Sequence, residues 1–331
     1  MMRFESRLEE NIFQLHRELT RQTYRHGPYR GFWICDPKSR HIHKATVRDR
    51  VLHHAVFRIL NLVFDPTFIP TSFSCRLGRG THRGVKSVEK MLRQTSRNYN
   101  RPGYVLKCDI EKFFESVNHA VLLEILGRKI KDPNAMWLLR TIIESYPRVY
   151  ERERERERES KNAGEIGIPI GNLTSQLFAN IYLNEFDQFV KHELKARNYA
   201  RYTDDFVIVS EDKNYLNNLL PPIQSFLWQE LKLKLHPHKV AIRKLRQGID
   251  FLGYVILPHH LILRPRTRKR MFRRLTQKME DYQNRFFSEA GLQASILSYL
   301  GMLSHCQGYI LSKELKNYFW ISSPRSRGVL N

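Results

Sequence analysis

Cysteine is scarce in this chain of 331 residues, and the few present stand far apart. Cys35, Cys75, Cys108 and Cys306 form no C-x-x-C pair, which argues against a disulfide framework and a cysteine-built zinc site and fits a reducing, cytoplasmic setting. Long apolar runs are missing too, so no membrane partner is expected through a spanning segment. The opening MMRFESRLEENIFQLHREL mixes charged and apolar residues and is not a secretory signal. No period of roughly 20–50 residues repeats, which excludes solenoids and propellers. Acid is the other shortage: 33 Asp and Glu stand against 56 Lys and Arg, a net charge of +23. Such a surplus repels itself until a polyanion neutralises it, and nucleic acid is the usual one; acidic membranes or proteins are the bland alternative. Hydrophobic residues at 41% and aromatics at 11% supply a sizeable core and exclude global disorder.

What is present reads as interleaved helices and strands. Phe4, Leu8, Ile12, Leu15 and Leu19 share one helical face, and Val47, Val51, Ala55, Ile59 and Val63 give a second stripe that Pro66 and Pro70 end. Residues 28–43 read as extended around an Asp36-Pro37-Lys38-Ser39 turn. Tyr104 to Cys108 is a short apolar strand, 116–130 and 214–231 are helical, and 174–195 is a helix with Leu177, Ile181, Phe186 and Val190 inward. Tyr199 to Val209 reads strand, turn, strand, with Asp204-Asp205 at the turn. Phe251 to Leu263 reads as a hairpin around Pro258-His259. No regular βαβ repeat appears, so the expected class is α+β rather than doubly wound. Glu151 to Glu159 alternates five Glu with four Arg, contributes only −1, and reads as a solvated segment without chemistry.

Three carboxylates occupy rigid places. Asp109 follows the strand Tyr-Val-Leu-Lys-Cys, and Asp204 and Asp205 sit at a tight turn between apolar strands. If those strands are neighbours, the carboxylates converge, and such clusters persist mainly around cations. Hard oxygen ligands suit Mg²⁺, with Mn²⁺ as a substitute. Two ions about 3.5–4 Å apart would clamp the attacking and leaving oxygens of a phosphoryl transfer. Taken alone, Asp-Asp is also an ordinary turn signal.

The order of several motifs adds to this. Tyr202-Thr203-Asp204-Asp205 with Phe-Val-Ile-Val after it resembles the Tyr-x-Asp-Asp box of reverse transcriptases. Asp109-Ile-Glu-Lys-Phe-Phe114 resembles their first catalytic box. Gly167-Ile-Pro-Ile-Gly-Asn-Leu-Thr-Ser-Gln176 lies where their nucleotide-side loop belongs. Leu233 to Lys239 and Phe251-Leu-Gly-Tyr254 follow in order, and Val47-Arg-Asp-Arg50 and Ser72-Phe-Ser-Cys-Arg76 precede. Most bacterial members carry Pro-Gln-Gly in the middle box, whereas this chain has Pro169-Ile170-Gly171. That wording resembles the reverse transcriptases of diversity-generating retroelements, which mutate a target gene by error-prone copying of a template RNA.

The resemblance implies a right-hand polymerase: fingers over 1–103, palm over 104–258 with a fingers insertion around 130–165, and a small helical thumb over 259–331. It also implies roles. Asp109 and Asp204 would bind two Mg²⁺ ions, Asp205 would support them, and the Ile110 carbonyl would reach a metal. Lys239 would give a proton to departing pyrophosphate. Arg76, or Arg79 in its place, would meet the triphosphate, Phe114 would exclude a 2′-hydroxyl, and Ile170, Gly167, Gly171 and Gln176 would line the nucleotide side. Phe113 and Phe114 are not both expected in the pocket, one of them being core. Phe251 and Gly253 would open a primer-supporting hairpin, and Arg264, Arg266, Arg268, Lys269, Arg270, Arg273 and Arg274 would hold the hybrid backbone. Tyr282, Phe286 and Phe287 read as core, and the histidines, His53-His54 and His259-His260 included, as surface or packing residues.

Implied partners are a template RNA, the RNA/cDNA hybrid, dNTPs and a small basic accessory protein. The chain's short tail after the basic segment fits a form without ribonuclease H, maturase or endonuclease domains. The rivals are a group II intron-like or defence-associated reverse transcriptase, and an inactive palm kept as an RNA-binding scaffold. An RNA-dependent RNA polymerase would more usually show Gly-Asp-Asp, where Thr203 stands here.

Overall fold

A computed structural model describes residues 2–35, 38–146 and 166–322. The Glu-Arg repeat at 151–159, the Asp36-Pro37 turn and most of the insertion beyond 146 lie outside the described residues. The class is α+β, as expected, and the residues cluster into two compact units.

The first unit gathers residues up to Gly80, Lys107–Ile208 and Asn214–Ala241. It opens with α1 (Met2–Glu5) and α2 (Leu8–Thr20). Of the expected N-terminal stripe only Leu15 is buried; Leu8 and Ile12 are exposed. Strands β1 (Arg30–Ile34) and β2 (Arg40–Lys44) then pair antiparallel, with Phe32 opposite Ile42.

Helix α3 (Val47–Phe64) starts at Thr46, whose hydroxyl accepts from the Asp49 amide at 3.2 Å. Its inward face differs from the expected one. Leu52, Val56, Leu60 and Phe64 are buried, while Ile59 is 65% exposed and Val51, Ala55 and Val63 also face outward. Two apolar stripes one residue apart give periodicity no means of choosing between them. Asp49 chooses: it is fully buried and takes bonds from Tyr24 Oη (2.8 Å), Thr46 Oγ1 (2.5 Å) and the Gly27 amide (3.1 Å). That anchor turns the Asp49–Leu52–Val56–Leu60 face inward.

Downstream in this unit come α5 (Phe113–Ser116), α6 (His119–Lys129), α7 (Pro133–Glu144) and α8 (Leu173–Gln188). Asn118 and Asp132 cap α6 and α7. α8 packs on α3 and α6 and buries Leu177, Ile181 and Phe186. It passes into a wider π turn over Phe189–Glu193, which buries Val190. The expected helix over 214–231 is two helices, α9 (Lys213–Asn218) and α10 (Leu220–Gln229), because Pro221 and Pro222 can only stand in a first turn.

The strands β3 (Tyr104–Asp109), β4 (Tyr199–Tyr202), β5 (Asp205–Ser210) and β6 (Ala241–Lys244) form one sheet in the order β4-β5-β3-β6. β4 and β5 are an antiparallel hairpin, Tyr202 opposite Asp205. Val105, Leu106 and Cys108 of β3 and Phe206 to Val209 of β5 are buried, which fixes both strands in the core.

The second unit gathers Thr81–Leu106, Val209–Lys213 and the chain from Ile242 onward. Helix α4 (Thr81–Thr95) belongs here and packs on β8 of a three-stranded meander, β7 (Ile249–Phe251), β8 (Tyr254–Leu257) and β9 (His260–Leu263). The β8–β9 hairpin turns at His259, whose φ is +61°, where the sequence placed it. Three helices follow: α11 (Pro265–Gln283), α12 (Glu289–Leu303) and α13 (Tyr309–Ser322). No helix among the described residues is long and apolar enough to cross a membrane.

Candidate active site

The convergence that the sequence required is present. β3 and β5 are neighbours, so their ends bring Asp109 beside the Asp204 turn. The Ile110 amide donates to the Asp204 carbonyl at 3.1 Å, and the His236 amide donates to the Asp109 carbonyl at 2.8 Å. Both aspartates are half-buried. Burial and the neighbouring Asp109 charge raise the Asp204 pKa, while Lys239 and Arg40 lower it. Lys239 arrives on the segment after α10 and places Nζ 2.6 Å from Asp109 Oδ1. Sequence separation of more than a hundred residues is thus closed at a single cluster of two carboxylates and two cations.

Asp205 stands differently from its neighbour. Its Oδ2 lies 3.6 Å from Lys107 Nζ on β3, and its Oδ1 is buried with no hydrogen-bond partner. Burial pushes its pKa up to about 6; Lys107 opposes, and Asp109 and Asp204 add to the rise. Among the described residues no three His, Cys, Asp or Glu side chains stand together at metal-holding distance. The structure pairs Asp109 with Asp204 and turns Asp205, expected in a supporting role, toward Lys107. That pair still fits a hard divalent cation. Its donors are all oxygen, the Asp109 charge raises the proton affinity of Asp204, and an orphaned carboxylate oxygen lies one residue away. Cys108, next to Asp109 on β3, is pushed up to about 12 by burial and by Asp205 and Asp109, so it stays a thiol.

The loop 167–172 forms a wall docked on both sides. The Gly167 amide donates to the Val117 carbonyl and the Ile168 amide to the Phe114 carbonyl, both at 2.7 Å. On the other side the His43 amide of β2 donates to the Ile170 carbonyl at 2.9 Å. Asn172, buried, donates to the His43 carbonyl at 2.8 Å and accepts from the Ala45 amide at 3.2 Å. Phe114, Ile170 and Gly171 are brought together, with Gln176 exposed on the first turn of α8. Gly167 and Gly171 have φ of +97° and +113°, and a Cβ on Gly171 would lie 2.6 Å from Ile42 Cγ2. Phe113 is core and Phe114 half-buried, because the two begin a helical turn.

Other expected residues are corrected. Arg76 does not project toward a nucleotide: its side chain is 6% exposed, Nε donates to Asp65 Oδ1 at 2.7 Å, and its other nitrogens go to the carbonyls of Asp65, Ile69 and Ser72. It is a brace for the 65–76 loop. Arg79 remains exposed on the same loop. Arg40 was missed: it begins β2, is exposed, and is near enough to lower the Asp204 pKa. Its only sequence signal was a cation beside a turn.

In the second unit Phe251 is fully buried in the core. Gly253, at φ +89°, accepts from the Arg264 amide at 3.0 Å. Arg264 pairs with Asp250 at the junction of β9 and α11, so it is a structural brace rather than part of the basic face. Arg266, Arg268, Lys269, Arg273 and Arg274 are exposed on α11 and Arg270 is half-buried; Arg268 also lies 3.3 Å from Glu314. Phe286, read as core, is 85% exposed.

Residues 36–256 match the family described as "Reverse transcriptase (RNA-dependent DNA polymerase)". The chain belongs to the reverse transcriptase family. It is 28% identical over 298 residues to Protein YkfC of Escherichia coli (strain K12), covering 80% of this chain and 74% of that one. It is 23% identical over 320 residues to the group II intron-encoded protein LtrA of Lactococcus lactis subsp. cremoris, covering 75% of this chain and half of LtrA's length (50%). Among solved structures, Candida albicans telomerase in complex with a fragment of telomeric RNA aligns with a TM-score of 0.52 at 11% identity, over 93% of this chain and 60% of that one. Apo telomerase from Candida tropicalis aligns at 0.51 and 12% identity, over 88% and 60%. These likenesses show the right-hand polymerase fold, the class the motif order implied.

Proposed function

We propose that this reverse transcriptase chain extends a primer on an RNA template, using dNTPs and Mg²⁺ or Mn²⁺. The observation that carries the reading is the pairing of Asp109 with the Asp204 turn at the ends of neighbouring strands. Divalent ions bound by Asp109 and Asp204, with the Ile110 carbonyl as a further ligand, would supply charge neutralisation at the triphosphate and at the primer 3′-oxygen. Arg40, and Arg79 in place of the braced Arg76, meet the triphosphate oxygens by charge-assisted hydrogen bonds. Phe114, half-buried, would exclude a 2′-hydroxyl by contact. Lys239, paired with Asp109 here, would be the proton donor to the leaving pyrophosphate. The exposed α11 cations grip the hybrid backbone without reading sequence.

The finer reading is error-prone copying for targeted gene diversification, supported by Ile170. Its place in the wall is held by main-chain bonds, and its side chain has no group to hydrogen-bond the nucleotide or template frame. A site that lacks polar contacts discriminates less between right and wrong pairs. A small basic accessory protein belongs to this reading. The second reading is a group II intron-like reverse transcriptase, favoured by the likeness to LtrA.

The test is extension of a primed RNA template by purified chain, with sequencing of the product. RNA-templated product is expected, with errors concentrated opposite template adenines and reduced in Ile170→Gln. Faithful product from wild type would favour the second reading. No product on RNA, with or without a partner, would reject both.

A further inference from the structure

Arg201 lies at the end of β4, two residues before Thr203, and its side chain is fully buried. Its guanidinium grips Asp187 of α8 with two bonds: Nε to Oδ1 at 2.8 Å and Nη2 to Oδ2 at 2.7 Å, both partners wholly inaccessible. Tyr199 Oη also donates to Asp187 Oδ1, at 2.6 Å. The remaining donors reach forward. Nη1 donates to the Thr203 carbonyl at 3.1 Å and Nη2 to Ser72 Oγ at 3.1 Å.

Thr203 itself is at φ +55°, a conformation that a β-branched residue avoids unless its surroundings impose it. Its hydroxyl donates to Ser74 Oγ at 2.6 Å, and the Ser74 carbonyl is in turn held by Asn180 Nδ2 at 2.8 Å. The 71–73 segment is tied to the same strand, since the Arg201 amide donates to the Thr71 carbonyl and the Phe73 amide to the Arg201 carbonyl, each at 3.0 Å. A buried ion pair is weak evidence of stabilisation, because well-packed apolar residues often serve as well. Here the pair also spends donors on the turn that carries Asp204.

We infer that Arg201, oriented by Asp187, and Thr203, tethered through Ser74, are positioning residues that hold the turn in the conformation aiming the Asp204 carboxylate at the Asp109 cation site. None of them touches a reacting atom. The inference rests on the reading of Asp109 and Asp204 as a cation-binding pair. Arginine is required because a lysine keeps the charge but cannot serve both Asp187 oxygens and the Thr203 carbonyl at once. Threonine at the variable place of the box is accounted for by its bond to Ser74.

The experiment compares wild type, Arg201→Lys, Thr203→Val, Thr203→Ser and Asp204→Asn as full chains. Circular dichroism melting checks folding, and the signal of free Mn²⁺ in electron paramagnetic resonance measures ion binding with a primed RNA template present. Arg201→Lys is expected to weaken Mn²⁺ binding about tenfold and Thr203→Val about threefold. Thr203→Ser, which keeps the hydroxyl, should bind as wild type does, and Asp204→Asn should lose the site. In extension assays, kcat should fall more than KM for dNTP rises. Wild-type Mn²⁺ affinity in folded Arg201→Lys would overturn the inference. Should that variant fail to fold, Thr203→Val decides alone: unchanged affinity overturns, weakened affinity rescued by serine supports. A wild-type chain with no Asp204-dependent Mn²⁺ binding also overturns it. If wild type binds Mn²⁺ through Asp204 and makes no product on RNA, the polymerase reading fails while this inference stands.

Discussion

His53 is a buried base on the inward face of α3, with its Nε2 3.2 Å from His26 Nε2 and its Nδ1 without a partner. Burial lowers its pKa from 6.5 to about 4; His26 and His54 add to the fall, and Asp49 opposes it. Its folded pKa is therefore depressed, so the stability it contributes is present above about pH 6.5 and is lost as pH falls toward 4. Thermal melts across that window should show wild type losing about 3 kcal/mol relative to His53→Gln. Parallel curves for the two proteins would contradict a neutral buried imidazole. At the same scale, Phe114 is the residue proposed to bar a 2′-hydroxyl, and its ring lies 5.4 Å from that of Phe113. Phe114→Ala is expected to raise rNTP incorporation by on the order of tenfold while dNTP use changes little, in single-nucleotide extension. An unchanged dNTP/rNTP preference would remove Phe114 from substrate selection.

Among the elements, the junction of β2 with the 167–172 loop leaves no room for a side chain at Gly171. Gly171 at φ +113° lies against Ile42, so a methyl there meets both a forbidden backbone region and a side chain at 2.6 Å. Gly171→Ala should cost about 1–3 kcal/mol in chemical denaturation and raise KM for dNTP, because the loop must leave β2 or bend the Ile170 carbonyl off the His43 amide. Wild-type stability would show that the loop is not docked on β2. This junction was only half legible in the sequence. The glycines marked a special backbone, but nothing in the chain order joins 43 to 170. The hairpins at 199–210 and 254–263 could be read because apolar strands flank short turns. The inward face of α3 could not, since adjacent stripes were equally apolar and a buried Asp49 made the choice. Arg76 and Arg264 were misread for a shared reason: an arginine in a loop announces a charge, and only tertiary structure reveals an aspartate and carbonyls waiting for it. The convergence of Asp109 and Asp204 was legible because each stands at the end of an apolar strand.

For the molecule as a whole, a net charge of +23 predicts that hybrid binding weakens steeply with salt. The exposed Arg266 and Lys269 contribute from α11. Replacing both with Gln should flatten the plot of log affinity against log salt by about one unit for each phosphate that the variant leaves unneutralised, with little change in sequence preference. An identical slope would move the nucleic-acid face away from this helix. The central claim is that Asp109 and Asp204, distant in the chain, act as one cation-binding pair in RNA-templated DNA synthesis. Its most direct test is extension of a primed RNA template by wild type and by Asp204→Asn, with hybrid affinity measured on the same preparations. The account predicts product from wild type, none from the variant, and affinities within about twofold of each other; equal extension by the two proteins would contradict it.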